Sequence, residues 1–303
     1  MSASPAPVNS LPPAELERLA VHFSERVVAL GDGVRVSVRE HGEGSGLPLV
    51  CLHGIGSGSA SWLDVALRLS RRTRVIAWDA PGYGASTPLR VDAPRGTDYA
   101  ERLHALLDVL DVPRCVLVGH SLGALVAVPA IHAIQRSQRF AALALISPAR
   151  GYGATTRAGD GERVRAERLQ TLAELGIAGM AEQRSARLVS EHASPQARAW
   201  VRWNMARLHE RGYRQAVELL CGSDLLARLP VPMPTHVACG ALDVITTPAA
   251  CAEVAQAAGA VLHPIARAGH ACYVEQPDAV AQWLAGVLDA AMGAERVGMQ
   301  ERP

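Results

Sequence analysis

The sequence predicts an α/β fold, a doubly wound and mostly parallel sheet that carries a helical cap insertion. Two observations point to the sheet. Short apolar runs over residues 48–52, 74–78, 115–119 and 142–146 have no polar face, as strands covered by helices on both sides require. Between them, residues 60–69, 98–110 and 121–135 carry apolar side chains at helical spacing, and alternating strand and helix makes a parallel sheet. A third observation predicts the insertion: residues 150–220 contain no convincing strand, only helix-type sequence with many arginines and glutamates.

Taken in order, residues 1–20 begin with the proline-, serine- and alanine-rich MSASPAPVNSLPP and read as a flexible N-terminal extension. Residues 34–40 (VRVSVRE) alternate apolar and polar, as an edge strand with one wet face should. The core occupies 21–149 and 221–292, and the helical cap 150–220. Inside the cap, GERVRAERLQTLAELG is amphipathic and stops at Gly176. A second helix starts at Ser194-Pro195, a capping residue followed by proline in the first turn, and runs to Gly212. After Pro234 the alternation resumes with strand THVACG, a helix over 249–257, strand AVLHPI and a helix over 273–292. Residues 293–303 read as a loose C-terminal tail. An insertion this late in a doubly wound sheet is expected to lie over the sheet's carboxyl edge.

Composition narrows the chemistry. A chain of 303 residues, 49% of them apolar, supports one large domain. A net charge of +1 gives no electrostatic case for nucleic acid or an anionic membrane. No apolar run approaches the ~18 residues of a transmembrane helix. All 30 basic residues are arginine, so a Schiff-base lysine and a P-loop lysine are both ruled out. The six cysteines (51, 115, 221, 239, 251 and 272) form no CxxC pair. Cys51, Cys115 and Cys239 fall inside strand-like runs and read as small buried thiols, not as metal ligands. The N-terminus has neither the basic nor the apolar part of a signal peptide. The expectation is a cytoplasmic protein with a small-molecule substrate, no cofactor, no metal and no membrane; a homodimer stays open.

The chemistry concentrates in CVLVGHSLGALVAVPA. Gly119-His120-Ser121-Leu122-Gly123 is a G-x-S-x-G placed between strand and helix, the context that gives this motif meaning. The turn is so sharp that the serine is strained and its Oγ projects above the sheet. Small residues at 119 and 123 let helix and strand backbones approach. A serine nucleophile needs a base, and the base an orienting acid. Asp243 stands just past strand THVACG, and His270 is the one histidine in the loop after AVLHPI. The order Ser121, Asp243, His270 is the chain order this motif requires.

Five motifs, LHGIG, DAPGYGAS, GHSLG, GALD and AGH, follow one another in register. With them the chain resembles the α/β-hydrolase superfamily over about residues 21–291. The resemblance implies Ser121 as nucleophile, His270 as base and Asp243 as its partner. It also implies an oxyanion hole made by the backbone N–H groups of Ile55 and Leu122. The glycine-rich stretch LVCLHGIGSGSASW (49–62) otherwise suggests a pyrophosphate cradle, with Asp79 about 20 residues on as a ribose acid. Its third glycine position is Ser59, however, and Asp79 is better explained as tying down backbone N–H groups of the DAPGYG turn. His53 then braces the oxyanion loop, and His120 packs beside the nucleophile turn. Trp200 and Trp203 read as cap core. Arg150 and Tyr152 sit where the cap leaves the sheet, and an arginine there could hold a substrate carboxylate.

Serine in the nucleophile position argues against the dehalogenases and epoxide hydrolases of this superfamily, whose covalent step uses aspartate. The sequence is similar to capped esterases and enol-lactonases that act on small acids. Hydrolysis of a small carboxylic ester or lactone is the leading expectation. Carbon–carbon hydrolysis of meta-cleavage-type diketones is the alternative, although those enzymes usually carry asparagine where His120 stands. Amide or thioester hydrolysis, perhydrolysis, and a non-catalytic receptor on the same fold also remain open.

Overall fold

The computed structural model describes residues 10–133 and 136–300. The apolar runs become β3 (Leu49–Leu52), β4 (Val75–Trp78), β5 (Cys115–His120) and β6 (Phe140–Ile146), every residue of them buried. Two later strands, β7 (Thr235–Gly240) and β8 (Leu262–Ile265), extend the same sheet. Side chains alternate across a strand, so each run supplies two cores. Val50, Leu52, Leu117, Leu143 and Leu145 face helices Gly96–Val109 and Ala124–Ile131. Leu49, Cys51, Val116, Val118, Ala142 and Ala144 face helices Leu63–Leu69 and Pro277–Gln300. Burial on both faces explains why these strands have no polar side.

The sheet order is β1-β2-β4-β3-β5-β6-β7-β8, with β1 spanning Glu25–Gly31 and β2 Val34–His41. Pairings from β4 to β8 are parallel; β1–β2 and β2–β4 are antiparallel. Here the structure differs from the sequence expectation, because residues 34–40 do not lie at the edge. β1 covers them through a hairpin whose Asp32 and Gly33 take φ of 48° and 72°. Consecutive left-handed residues are what a tight two-residue hairpin demands.

Both ends also differ. Residues 13–22, read as part of a flexible extension, form a helix (Pro13–His22) that buries Leu19 and leads into a fully buried Phe23. Apolar burial against the Trp62 side of the sheet overrides the loop-forming composition. Residues 1–9 lie outside the described residues. The last helix runs on to Gln300, through most of the segment read as a loose tail, and residues 301–303 lie outside the described residues. The helix expected over 121–135 is a single tight turn, Ser121–Gly123, followed by Ala124–Ile131; residues 134 and 135 are outside the described residues.

Between β6 and β7 the chain is helical. Helix Ala158–Ser185 is broken at Gly176, whose φ of 61° and ψ of −176° are not helical. Helix Pro195–Ala206 starts where Ser194 Oγ accepts the Ala197 N–H at 3.1 Å. It ends at Arg207, short of the expected Gly212, and a separate helix, Glu210–Gly222, comes down onto the Gly82 turn. Gly212 and Gly82 cross so closely that a Cβ on either would overlap the other backbone. Gly212→Ala should therefore lift this helix and lower Tm by several degrees, as overpacking costs about 1–3 kcal/mol. Gly222→Ala, with nothing within 4 Å of the new methyl, is the control that should leave Tm within about a degree. Equal melting of both variants would show that this crossing does not hold the helices in place.

Candidate active site

Ser121 follows directly on β5, and its backbone is forced into the left-handed region at φ 51°. A non-glycine residue tolerates this conformation at a cost of about 1–3 kcal/mol, so surrounding packing must impose it. The glycines beside it show how. A Cβ on Gly123 would lie 2.5 Å from the Leu52 carbonyl oxygen, and one on Gly119 would lie 3.0 Å from the Ala124 nitrogen. The helix after the serine thus sits against β3 and β5 at backbone contact. The Ala149 N–H donates to the Ser121 carbonyl at 3.1 Å and ties the turn to the end of β6.

Asp243 and His270 are joined by their loops before their side chains meet. After β7, the Ala241 and Leu242 N–H groups donate to the Ile265 and Ala268 carbonyls, both at 2.9 Å. Gly240 is required where they cross, since a Cβ would strike the Gly269 carbonyl. His270 Nδ1 then lies 2.9 Å from Asp243 Oδ2. Both side chains are almost wholly buried, at 5% and 0% exposure, so this contact is not shared with solvent. The Asp243 carboxylate also accepts the Ile245 N–H at 2.7 Å, the Thr246 N–H at 3.0 Å and the Thr246 hydroxyl at 2.8 Å. Burial pushes this carboxyl up, but the His270 charge and these hydrogen bonds outweigh it and bring it down to about 2. With Nδ1–H held by Asp243, His270 Nε2 is the ring nitrogen left to accept a proton.

Ile55 lies in the loop after β3, and its N–H has no hydrogen-bond partner among the described residues. Leu122 heads the helical turn, where N–H groups have no carbonyl one turn earlier to bond. Gly54 lets the two loops meet, because a Cβ there would sit 3.0 Å from Ser121 Cβ. His53 braces this loop: its Nδ1–H donates to the Gly54 carbonyl at 2.8 Å and its Nε2 accepts the Ala80 N–H at 3.0 Å. Both bonds fit a neutral ring, and burial lowers its pKa accordingly. His120 is a second brace. Its Nε2–H donates to the His270 carbonyl at 3.0 Å, and burial together with the His270 charge holds its pKa down to about 3.

Ser121, Leu122, Ile55 and His270 line one cavity, and Asp243 stands behind His270. The cavity holds about 160 Å³, roughly ten times the ~15 Å³ that one water needs. That is room for a small molecule. Its walls come from the loops after β3, β5, β6, β7 and β8, and from residues 157–220 of the helical segment. Every one of these loops leaves a parallel strand at its carboxyl end, the edge where open α/β sheets bind ligands.

Some sequence readings need correcting in detail. Asp79 does not tie down its own turn; it accepts the Ser59 N–H at 2.7 Å and the hydroxyls of Ser59 and Ser37. Arg150 lines the cavity but is paired with Glu253. Trp200 and Trp203 pack edge to face at 5.5 Å, joined to the core cluster containing Trp62 and Tyr273. Thr246 escaped sequence reasoning, although an aspartate bonding the N–H groups two and three residues on is a recognisable turn. Among the described residues, no group of three or more His, Cys, Asp or Glu side chains could hold a metal ion, and no helix is long and apolar enough to cross a membrane. All six cysteines are buried and free.

A strained serine between strand and helix, an acid–histidine pair from the next loops, and a parallel sheet beneath them define a hydrolase-type α/β architecture. The chain belongs to the alpha/beta hydrolase family, whose model matches residues 49–283. Among curated proteins it is 39% identical over 107 residues to a 2-(acetamidomethylene)succinate hydrolase of Mesorhizobium japonicum, covering 34% of this chain and 36% of that one. It is 36% identical over 117 residues to an uncharacterized protein of Mycobacterium tuberculosis, covering 39% and 30%. The chain thus spans about a third of the length of the curated relatives it matches. Among solved structures, the enol-lactonase of Burkholderia xenovorans superposes with a TM-score of 0.76 at 24% identity, covering 87% of this chain and all of that one. A hydrolase of Pseudomonas aeruginosa superposes with a TM-score of 0.74 at 27% identity, covering 87% and 98%.

The depressed Asp243 pKa makes a stability prediction. The folded carboxyl, near 2, binds its proton more weakly than the unfolded one, near 3.8. This contribution, on the order of 2 kcal/mol, is present above about pH 4 and is lost as pH falls through 2. Thermal unfolding between pH 5 and 2 should show the loss in wild type and a shallower slope in Asp243→Asn. Parallel slopes would mean that the carboxylate is not held as described.

Proposed function

We propose that the protein is a serine hydrolase that cleaves a small carboxylic ester or lactone through an acyl-enzyme. The observation that carries this reading is the buried 2.9 Å contact between Asp243 and His270, opening on the same cavity as the strained Ser121. Ser121 Oγ attacks the acyl carbon while His270 Nε2 takes its proton. The carbonyl oxygen becomes an oxyanion and is met by the N–H groups of Ile55 and Leu122, fixed beforehand by the His53 brace and the helix start. Donors already in place need no reorganisation as charge develops, which is worth several kcal/mol. His270 then protonates the departing alkoxide oxygen. In a lactone that oxygen remains tethered to the acyl group. Water enters, gives a proton to His270 and its oxygen to the acyl carbon, and Ser121 leaves with that proton. Asp243 stays ionised throughout and steadies the imidazolium.

Residues 150–220 act in this reading as a cap. They contribute Met180, Leu188, Val201, Met205 and Leu220 to the cavity, walls that the sheet edge alone does not provide. Excluding water there strengthens the contacts to the oxyanion. The name of the enol-lactonase agrees with this chemistry, whereas that of the 2-(acetamidomethylene)succinate hydrolase points to an amide-bearing acid. The six free, buried thiols suit a cytoplasmic setting.

Kinetics on p-nitrophenyl esters and simple lactones test the assignment. Ser121→Ala should keep its fold and lose about 10³-fold or more in kcat, with the residue of activity due to the oxyanion hole and binding. Asp243→Asn should lose about as much by mis-setting the His270 tautomer, while substrate affinity stays close to wild type. An alanine variant that keeps a tenth of the activity would remove Ser121 from the mechanism.

A further inference from the structure

Five arginines line the cavity: Arg150, Arg157, Arg168, Arg184 and Arg187. Two of them are engaged. Arg150 is paired with Glu253, and Arg157 donates to the Gly151 carbonyl and lies over the Tyr152 ring at 4.3 Å. The other three have no carboxylate partner among the described residues. Two acids of the surrounding helices are paired with other arginines, Glu167 with Arg163 at 3.1 Å and Glu218 with Arg165 at 3.1 Å. Arg187 is exposed, which leaves Arg168 and Arg184 as the sheltered pair.

Their surroundings are unusual for guanidinium groups. Arg168 donates to the Tyr213 hydroxyl at 3.3 Å, yet its Nε is buried without a hydrogen-bond partner. Burial and the neighbouring Arg168 charge lower the pKa of Arg184. Two like charges, close together and poorly solvated, are costly unless something anionic joins them. Arg168 also acts electrostatically on Tyr83, whose hydroxyl donates to the Ile55 carbonyl at 2.9 Å. Both arginines line the same cavity as Gly54, Ile55, Gly56 and Ser57. Met180, Leu188, Val201, Met205 and Leu208 give the same chamber an apolar wall, alongside polar groups that include Ser57, Ser61 and Thr246.

We infer that Arg168 and Arg184 form an anion subsite, and that the substrate carries a free carboxylate besides its scissile acyl group. This rests on the hydrolase reading of the same cavity and names its substrate class: a half-ester of a short dicarboxylic acid, or a lactone bearing a carboxylate. A guanidinium presents two parallel N–H donors that match a carboxylate edge to edge. The cavity volume admits a short acid.

Two measurements test it together. First, kcat/KM is compared for 4-nitrophenyl hydrogen glutarate and its neutral counterpart, 4-nitrophenyl pentanoate. Wild type should prefer the half-ester by at least about tenfold, and Arg168→Gln or Arg184→Gln should cut that preference by about tenfold or more. Arg168→Lys should recover part of it, since charge survives while the planar fork does not. Second, calorimetry follows glutarate binding to Ser121→Ala, with and without each arginine substitution. Affinity should fall by about tenfold for each Gln variant that keeps the parent's melting temperature. An unchanged substrate preference in the double Gln variant would overturn the inference. So would a Ser121→Ala protein that binds no glutarate, or one that binds inorganic phosphate more tightly. If wild type hydrolyses neither ester while glutarate binds in an arginine-dependent way, the hydrolase reading falls and the anion subsite stands.

Discussion

Backbone contact at the end of β5 is the constraint on which the rest of the site depends. Ser121 is held at φ 51° because the helix after it lies against β3 at a distance that only glycine at 123 allows. The same closeness propagates outward. Gly54 must lack a side chain because Ser121 Cβ is in the way, which brings the β3 loop within reach of the serine. Ala149 is bound to the Ser121 carbonyl, which fixes where β6 ends and the helical segment begins. A single steric demand thereby aligns three loops around one side chain.

Electrostatics divides the labour among three buried histidines that share a small region. His53 and His120 each have one ring N–H given to a backbone carbonyl, and burial keeps both neutral. Of the three, His270 is the one whose ring is hydrogen-bonded to a carboxylate. The negative charge is concentrated at Asp243, with four donors around it, and in the proposed mechanism this makes one histidine the proton carrier and leaves the other two as braces. The arginines that line the same cavity add positive charge without competing for that proton.

Much of this was legible in the sequence, for physical reasons that differ by element. β3 to β6 stand out because burial on both faces removes every polar residue from them. The serine turn, Asp243 and His270 were readable because strand ends and glycines fix where a loop residue must stand. β1 was not: most of its residues are exposed, so it carries no clear alternation. Helix Pro13–His22 hid behind a proline-rich start, although one buried leucine and Phe23 suffice to dock it. The stop at Arg207 has no glycine or proline to announce it. Arg168 and Arg184 were illegible among so many arginines, since facing inward is a property of packing and leaves no mark on periodicity.

The central claim is that Ser121 is the activated nucleophile, and a covalent probe reads it directly. Wild-type protein treated with a small fluorophosphonate should gain the mass of one adduct, and peptide mapping should place it on Ser121. The rate of labelling should fall steeply in His270→Ala, because the hydroxyl then has no base. Labelling at Ser57 or Ser61 instead, or an adduct that persists in Ser121→Ala at the wild-type rate, would contradict the account.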